Sequence, residues 1–220
     1  MTLFDRKDFK VFDVTGFEDR MHAIRERIQP RLSEIGEDLG PVIADVVDRP
    51  VYAHVARHAR RTVNPPDDTW VAFGTDRRGY KKDVHFKLAV SRRSVRLLFE
   101  VGPEYYDKPG WSRKWAREFR SLAPALESAA RLGWYRDKHD EEPQARLGKL
   151  QTDVLRDLGQ EPVRRRHGQL VIGRRLEEND VVGMSEAAFR KAVVSTFRPL
   201  APLVHLHEQR IVGSGALTQS

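Results

Sequence analysis

Apolar residues recur at steps of three and four in the first fifty residues, which is the pattern of an amphipathic helix. One face of this predicted helix is formed by Met21, Ile24, Ile28, Leu32 and Ile35. Thr15, three residues before a glutamate, is the predicted N-cap. Pro30 lies inside the pattern and should kink or split the helix, because proline lacks the amide hydrogen that a helix needs. Gly40 and Pro41 predict a break before a second short helix over residues 42–47.

Alternation of apolar and polar residues predicts β-strands in two parts of the chain. Residues 10–14 (KVFDV) form a short alternating run before the first helix. Residues 69–73 (TWVAF), 84–90 (VHFKLAV) and 95–101 (VRLLFEV) are joined by short turns and predict an antiparallel meander. The middle strand is predicted to be half-buried. Its solvent side would carry His85, Lys87 and Ala89.

Helical and strand patterns alternate in the second half of the chain. The apolar stripe of a long helix is formed by Trp111, Trp115, Phe119, Leu122 and Leu126. Residues 133–135 and 168–172 predict short strands, and residues 147–158 predict another helix. Ser185 is the predicted N-cap of the last helix, whose end Pro199 should bend.

This order of elements predicts an α+β fold, a single domain with one mainly antiparallel or mixed sheet and helices packed on it. The predicted domain spans residues 1–212. Residues 213–220 (GSGALTQS) have little apolar surface to bury and are predicted to be a disordered tail.

Composition narrows the possible chemistry. The 220 residues include no cysteine, which excludes disulfides, thiol catalysis and iron–sulfur clusters. No run approaches the roughly 18 consecutive apolar residues of a membrane span, and a charged N-terminus is unlike a signal peptide, so a cytoplasmic protein is expected. The formal net charge is +7, and residues 51–100 alone carry +6. Such an excess attracts phosphates, nucleic acid or an acidic partner, although an arginine-rich composition explains it equally well.

The segment of residues 54–70 (HVARHARRTVNPPDDTW) has the most unusual composition in the chain. His54 and His58 are four residues apart and on a helix would share a face, as metal ligands do, but no glutamate follows His54 and we assign no metal site. Arg60 and Arg61 suit bidentate contact with phosphate or carboxylate. They pair equally well with acidic residues of the same chain. Asn64 begins a rigid Asn-Pro-Pro-Asp turn, which is either a binding loop or a plain connector.

A second basic cluster, residues 77–82 (RRGYKK), contains an aromatic ring between its cations. Tyr80 or Trp70 could stack on a base while Arg78 and Lys81 hold phosphates, as in single-strand binding proteins. The alternative is a basic hairpin turn with a packed tyrosine. A third cluster, residues 164–167 (RRRH), precedes a strand.

Several of these segments together resemble the YktB-like family of bacterial proteins, a domain of unknown function. The similar segments are DFKVFDVTGFEDRM, RERIQPRLSEIG, HVARHARRTVNPPDDTWVAF, RRGYKK, HFKLAV, LVIGRR and TFRPLAPL. The resemblance covers roughly residues 8–207 and implies a compact α+β domain in one cytosolic chain. It implies no activity, so no catalytic residue or cofactor is carried over. Ala53 and Val84 stand where the family tends to have proline.

Two hypotheses from different classes follow. In the first, one face of the meander binds an anionic ligand such as RNA or DNA, through His54, His58, Arg60, Arg61, Asn64, Trp70, Arg78, Tyr80, Lys81 and His85. In the second, the chain is an enzyme for a phosphorylated or acidic small molecule, with His58 or His85 as acid/base and the arginine pair as anion clamp. A structural or protein–protein role with a basic surface stays open. No phosphate-binding loop, dinucleotide fingerprint or nucleophile elbow is present.

Overall fold

The structure, a computed structural model, describes residues 3–59 and 62–207. Within these ranges seven strands form one sheet in the order β1-β2-β3-β4-β7-β5-β6, and every neighbouring pair is antiparallel. The strands are β1 (Tyr52–Val55), β2 (Asp68–Gly74), β3 (Val84–Ser91), β4 (Ser94–Val101), β5 (Gly133–Tyr135), β6 (Ala145–Arg146) and β7 (Leu170–Glu177).

The α-helices of the described residues precede, interrupt and follow this sheet. They are α1 (Arg6–Lys10), α2 (Phe17–Ala23), α3 (Gln29–Val47), α4 (Lys108–Ser128), α5 (Thr152–Asp157), α6 (Glu161–Arg164), α7 (Glu178–Val182), α8 (Glu186–Phe197) and α9 (Ala201–His205). None of the described helices is both long enough and apolar enough to cross a membrane.

The hydrophobic core lies between one face of the sheet and the helices. Alternate residues of β3 and β4 point into it, and the ring of Phe86 stacks on Phe197 of α8 with centroids 4.3 Å apart. Trp111 of α4 packs near Phe99 of β4. This arrangement confirms the predicted α+β class, with the sheet antiparallel throughout the described strands. The predicted tail and the domain end at residue 212 lie outside the described residues.

The prediction of a strand over residues 10–14 is wrong. This segment ends α1 and continues as a 3-10 turn, Val11–Asp13. Asp5 caps the helix by accepting a hydrogen bond from the Lys7 amide (2.7 Å). Phe9 and Phe12 are three residues apart, so a helical turn buries both rings where a strand would separate them. Thr15 is not the next cap, because Gly16, at φ +83°, precedes α2 without a side-chain hydrogen bond.

Two prolines in the first long helix have different consequences. Just before Pro30 the helix widens into a π-helical segment, Ile24–Ile28, where the wider turn accommodates a residue that lacks an amide hydrogen. Pro41, in contrast, lies inside an uninterrupted α3, so the predicted break there is wrong. Ile43 and Val47 continue the buried stripe beyond it, and their packing outweighs the one lost hydrogen bond.

The three strands of the meander are confirmed as β2, β3 and β4. The prediction that the middle strand is half-buried is wrong, because every residue of β3 is buried. His85 and Lys87 are 3% and 1% exposed. They are buried because loops from distant parts of the chain cover the face of the sheet that the helices leave open.

The strands and helices of the second half of the chain are of the predicted type, but their lengths differ from the predictions. The strand predicted over residues 168–172 is longer, and forms β7. The helix predicted over 147–158 is shorter, since only α5 is α-helical and 3-10 turns flank it. Ser185 caps α8 as predicted, with its hydroxyl accepting from the amide of Ala188 (3.2 Å).

Two glycines give a matched test of this packing. A Cβ on Gly173 of β7 would lie 2.0 Å from the carbonyl oxygen of Leu97, whereas a Cβ on Gly40 of α3 would meet nothing within 4 Å. We expect Gly173→Ala to cost at least about 1 kcal/mol, because the backbone of a central strand must move. Gly40→Ala should change the free energy of unfolding by less than about 0.5 kcal/mol, because alanine favours the helix while its Cβ crowds the ring of the following Pro41. Urea unfolding of both variants checks the prediction, and equal effects would contradict it.

Candidate functional site

The face of the sheet that is turned away from the helices, called here the polar face, carries rings and charges. Strand alternation sets its membership, because residues two apart on one strand lie on the same face. The register then places His85 opposite Glu100 and Arg96 opposite Ala89. Ala89 in turn lies opposite Trp70, and Ala72 opposite His54. Four strands therefore bring these groups together across the sheet.

Six rings on and around the polar face form a contiguous group, called here the ring cluster. Its members are His54, His58, Trp70, Tyr80, His85 and His139. Tyr80 lies against His85 with ring centroids 4.8 Å apart and against His54 at 5.9 Å. Trp70 lies against His58 at 5.2 Å and His139 at 6.3 Å. All of the ring pairs except the tilted His54–Tyr80 pair meet edge to face, which is a favourable geometry for aromatic groups.

Trp70 joins the two halves of the ring cluster. Its indole Nε1 donates a hydrogen bond to the Tyr80 hydroxyl oxygen (2.9 Å). The Lys87 ammonium lies 5.1 Å from the centroid of the indole ring, close enough for a cation–π interaction. Burial raises the pKa of Tyr80 to about 12, so this hydroxyl keeps its proton at neutral pH. The central rings are therefore held in place by directional contacts.

His54 and His58 do not lie on a helix. His54 is on β1, and its Nε2 lies 3.0 Å from the carbonyl oxygen of Asp76. His58 lies in the following loop at φ +50°, a left-handed conformation that is uncommon outside glycine. Its Nε2 is 3.0 Å from the Thr69 hydroxyl. In the described part of the chain no three histidine, aspartate or glutamate side chains are grouped as a metal site requires.

A buried ion pair lies beneath the rings. Lys87 Nζ contacts Glu100 Oε1, and His85 Nε2 lies 3.4 Å from the other carboxylate oxygen. His85 Nδ1 donates to the carbonyl oxygen of Asp83 (3.1 Å). Burial by itself would raise the pKa of Glu100, but the Lys87 ammonium and the His85 ring outweigh it and hold that pKa below its usual range.

A second buried ion pair joins Asp68 of β2 to Arg96 of β4 (2.5 Å). His139 Nδ1 lies 3.1 Å from the same carboxylate oxygen of Asp68. Burial opposes ionisation of Asp68, but the hydrogen bond from His139 and the charges of Lys87 and Arg96 lower its pKa to about 2. The polar face thus holds two ionised carboxylates, each matched by cations.

Residues 136–144, called here the covering loop, close the polar face over Arg96. The guanidinium NH1 donates to the carbonyl oxygens of Lys138 and Asp140, both at 3.0 Å. Glu141 of the same loop accepts hydrogen bonds from the hydroxyls of Ser91 and Ser94, at 2.7 and 2.8 Å. The charged side chains therefore tie a distant loop to the sheet.

The basic clusters lie at two ends of the sheet. Residues 75–83 and 165–169 adjoin the same end, because Val84 and Leu170 both pair with Val101. Arg78 and Lys81 are exposed there, with Lys81 Nζ 3.8 Å from Glu104 Oε1. The loop between β1 and β2 lies at the opposite end.

The structure brings together five of the residues predicted for the site, namely His54, His58, Trp70, Tyr80 and His85. His85 lies at the base of the cluster and is buried. Asn64 is exposed in the β1–β2 loop, at the opposite end of the sheet from Arg78 and Lys81. Arg60 and Arg61 lie outside the described residues.

Lys87, Arg96 and Glu100 also belong to the site, although no motif in the sequence points to them. Their signal is in the hairpin that joins β3 and β4. A two-residue loop, Arg92 and Arg93, fixes which residues lie opposite each other, and the charged positions of both strands then fall on one face. Charged residues on the same face of two neighbouring strands are therefore compatible with two structures, a solvated surface or a covered ionic network.

Comparison with known proteins identifies the family. The family described as Domain of unknown function (DUF1054) matches residues 4–204. A UPF0637 protein of Bacillus licheniformis is 31% identical over 208 residues, which are 94% of this chain and 96% of the relative. A UPF0637 protein of Macrococcus caseolyticus is 34% identical over 200 residues (91% and 97%), and one of Staphylococcus aureus 33% over 201 residues (90% and 96%). The predicted resemblance to an uncharacterised bacterial family is confirmed, and the chain belongs to the DUF1054 family.

Proposed function

We propose that this protein binds single-stranded nucleic acid on its ring cluster. The observation that carries the proposal is the row of adjoining rings at the surface of the polar face. His54, His58, Trp70 and Tyr80 are half-buried, and the side chain of His139 is 43% exposed. Rings that are partly exposed and already ordered offer bases a stacking surface at a low entropic cost.

The ring positions are maintained by groups that a ligand does not need to contact. Tyr80 accepts the hydrogen bond of Trp70, and Lys87 lies against the indole from within the sheet. His58 is fixed by its contact with Thr69. A platform held in this way loses little conformational freedom when a base stacks on it, which favours binding.

Exposed cations beside the rings are suited to the phosphates. Arg77, Arg78, Lys81 and Lys82 belong to the β2–β3 loop that also supplies Tyr80. Arg165 and Arg166 are exposed at the same end of the sheet, whereas Arg164 pairs with Asp157 and Glu161. A strand whose bases stack on the rings would bring its backbone towards these side chains, and the predicted cytoplasmic location would give it access to RNA.

The enzyme alternative has less support. It needs His85 or His58 as an acid/base that reaches a substrate. His85 is 3% exposed, and its two ring nitrogens face Asp83 and Glu100. Such a histidine stabilises the sheet and does not contact a molecule at the surface. His58 is half-buried and stays the acid/base of this alternative, but the arginine pair that would clamp the anion lies outside the described residues.

Fluorescence anisotropy with labelled oligonucleotides tests the proposal. Single-stranded RNA and DNA, duplex DNA and heparin should be titrated at two salt concentrations. We expect single strands to bind more tightly than duplex or heparin. The logarithm of the affinity should fall with the logarithm of salt by about 0.7 for each phosphate contact. Absence of binding, or equal binding of heparin, would refute the proposal.

Variants separate the rings from the charges. Trp70→Leu should weaken binding by about 1–3 kcal/mol, the usual value of one stacked base. Arg78→Gln with Lys81→Gln should lower the salt dependence by about 1.4 units in the log–log slope, since two phosphate contacts are lost. The matched control replaces two exposed arginines of α4, Arg113→Gln with Arg120→Gln. A similar loss in this control would show that total charge, not the cluster, determines binding.

A further inference from the structure

A cavity of about 530 Å³ lies beside β5 and β7. These strands are near one edge of the sheet, whereas the ring cluster lies near the other edge, at β1 to β3. The cavity shares no lining residue with the ring cluster. Its size falls within the range of small-molecule sites. It therefore represents a separate candidate site, independent of the proposed nucleic-acid surface.

The cavity exists because two neighbouring strands differ in length. β5 pairs with β7 only from Tyr135 to Gly133, and the last pair joins Gly133 to Gly173. β7 continues to Glu177, and no described strand pairs with it on this side beyond Gly173. The end of α4, the end of α8 and Pro143 form the remaining walls around this open strand edge.

Four arginines and two glutamates, Glu142 and Glu177, line the cavity, and three of the arginines form no ion pair with a described residue. Arg175 contacts the carboxylates of Glu141, Glu142 and Glu177. The other three are Arg131, Arg146 and Arg174. Within residues 3–59 and 62–207, no carboxylate forms an ion pair or a hydrogen bond with their side chains. These three arginines are exposed, so water screens part of their mutual repulsion, but they still concentrate positive charge around one concavity. An anion would remove this repulsion.

The glutamates of the lining are held by Arg175, and the serine and threonine hydroxyls do not compete for this role. Ser128, Ser195 and Thr196 line the cavity, but each hydroxyl donates its hydrogen to a helix carbonyl. Their oxygens then carry no hydrogen for an anion, which leaves the guanidinium groups as the cationic donors of the lining. Leu132 and Tyr135 form an apolar wall of the cavity. Burial raises the pKa of Tyr135 to about 12, so its hydroxyl is neutral.

From this geometry we infer that the cavity binds a small molecule with at least two linked phosphoryl groups. Three guanidinium groups match the charge of a diphosphate better than that of a single carboxylate, and their planar forks suit its oxygens. The apolar wall would contact the body of an ester of that class. Arg131 and Arg146 come from the two sides of β5, and Arg174 from β7, so three parts of the chain would contact one ligand.

Isothermal titration calorimetry with inorganic pyrophosphate at constant ionic strength tests this inference. We expect one site per chain in the unmodified protein. Arg131→Gln, Arg146→Gln and Arg174→Gln should each weaken binding by about tenfold or more, the usual loss for a hydrogen bond to a charged group. Arg113→Gln, an exposed arginine on α4, should leave the affinity unchanged. These are surface substitutions, and thermal unfolding of each variant verifies that it folds.

Three results would overturn the inference. The first is that millimolar pyrophosphate gives no measurable heat. The second is that Arg113→Gln loses as much affinity as the cavity variants, and the third is that sulfate at the same ionic strength competes as well as pyrophosphate. A cavity-specific site also predicts that Trp70→Leu binds pyrophosphate normally. This comparison distinguishes failure of the cavity site from failure of the nucleic-acid proposal, because the two use different residues.

Discussion

Glu100→Gln is expected to lower the free energy of unfolding by about 3–5 kcal/mol, the cost of leaving a buried charge without its partner. Lys87 and Glu100 are 1% and 2% exposed, so water cannot replace the lost carboxylate. Burial already lowers the pKa of Lys87, and Glu100 opposes that effect. Without the carboxylate the ammonium must stay charged in a dry environment or lose its proton, and both outcomes destabilise the folded state.

Equilibrium unfolding in urea measures this difference. The matched control is Glu104→Gln, because Glu104 also pairs with a lysine, Lys81, but both side chains are about half exposed. An exposed pair of this kind contributes about 0–1 kcal/mol. Equal losses in the two variants would contradict the view that burial makes the Lys87–Glu100 pair essential.

The double variant Lys87→Met with Glu100→Leu separates the cost of an unpaired charge from the value of the pair. Apolar replacement of both partners is often neutral or stabilising. We therefore expect the double variant to recover most of the stability that Glu100→Gln loses. If it does not, the pair contributes to stability through its contacts with His85 and Trp70, and the loss belongs to the network.

Local sequence patterns predicted the helices and strands that bury one face. They failed where contacts with residues distant in sequence determine the local structure or its burial. The meander of β2, β3 and β4 follows from alternation and short turns, and the stripe of α4 from its periodicity. The helix through Pro41 could not be predicted locally, because its packing against other elements outweighs the penalty for proline. The segment of residues 10–14 has a short pattern that fits a strand and a helical turn equally well.

The candidate site was predicted in part for the same reason. His54, His58, Trp70, Tyr80 and His85 are near in sequence or on adjacent strands, so the meander brings them together. His139 comes from the covering loop, nearly fifty residues after the end of β3, and the sequence does not show that this loop contacts Asp68. The burial of Lys87 depends on the same closure, and a period-two pattern alone predicts exposure.

Asp68→Asn is expected to cost about 3 kcal/mol at neutral pH, the lower end of the range for breaking a buried ion pair, because Arg96 then lacks its counter-charge. The loss should shrink in acid. The folded-state pKa of Asp68 is about 2, below the ordinary value of 3.8. A carboxyl group with a lowered pKa contributes stability that is present above the unfolded pKa. That contribution is lost as pH falls through the folded pKa, and for this shift it amounts to about 2 kcal/mol.

Urea unfolding between pH 7 and pH 2 measures this dependence. Both proteins lose stability in acid through their other carboxylates, and that part cancels in the difference between them. The unmodified chain should lose about 2 kcal/mol more than Asp68→Asn between pH 5 and pH 2. The matched control is Asp67→Asn, the neighbouring residue, whose side chain is 97% exposed in its pair with Arg20. Its curve should stay parallel to that of the unmodified chain. If the curve of Asp68→Asn also stays parallel to that of the unmodified chain, Asp68 is not ionised in the folded protein. The polar face would then lack its second ion pair.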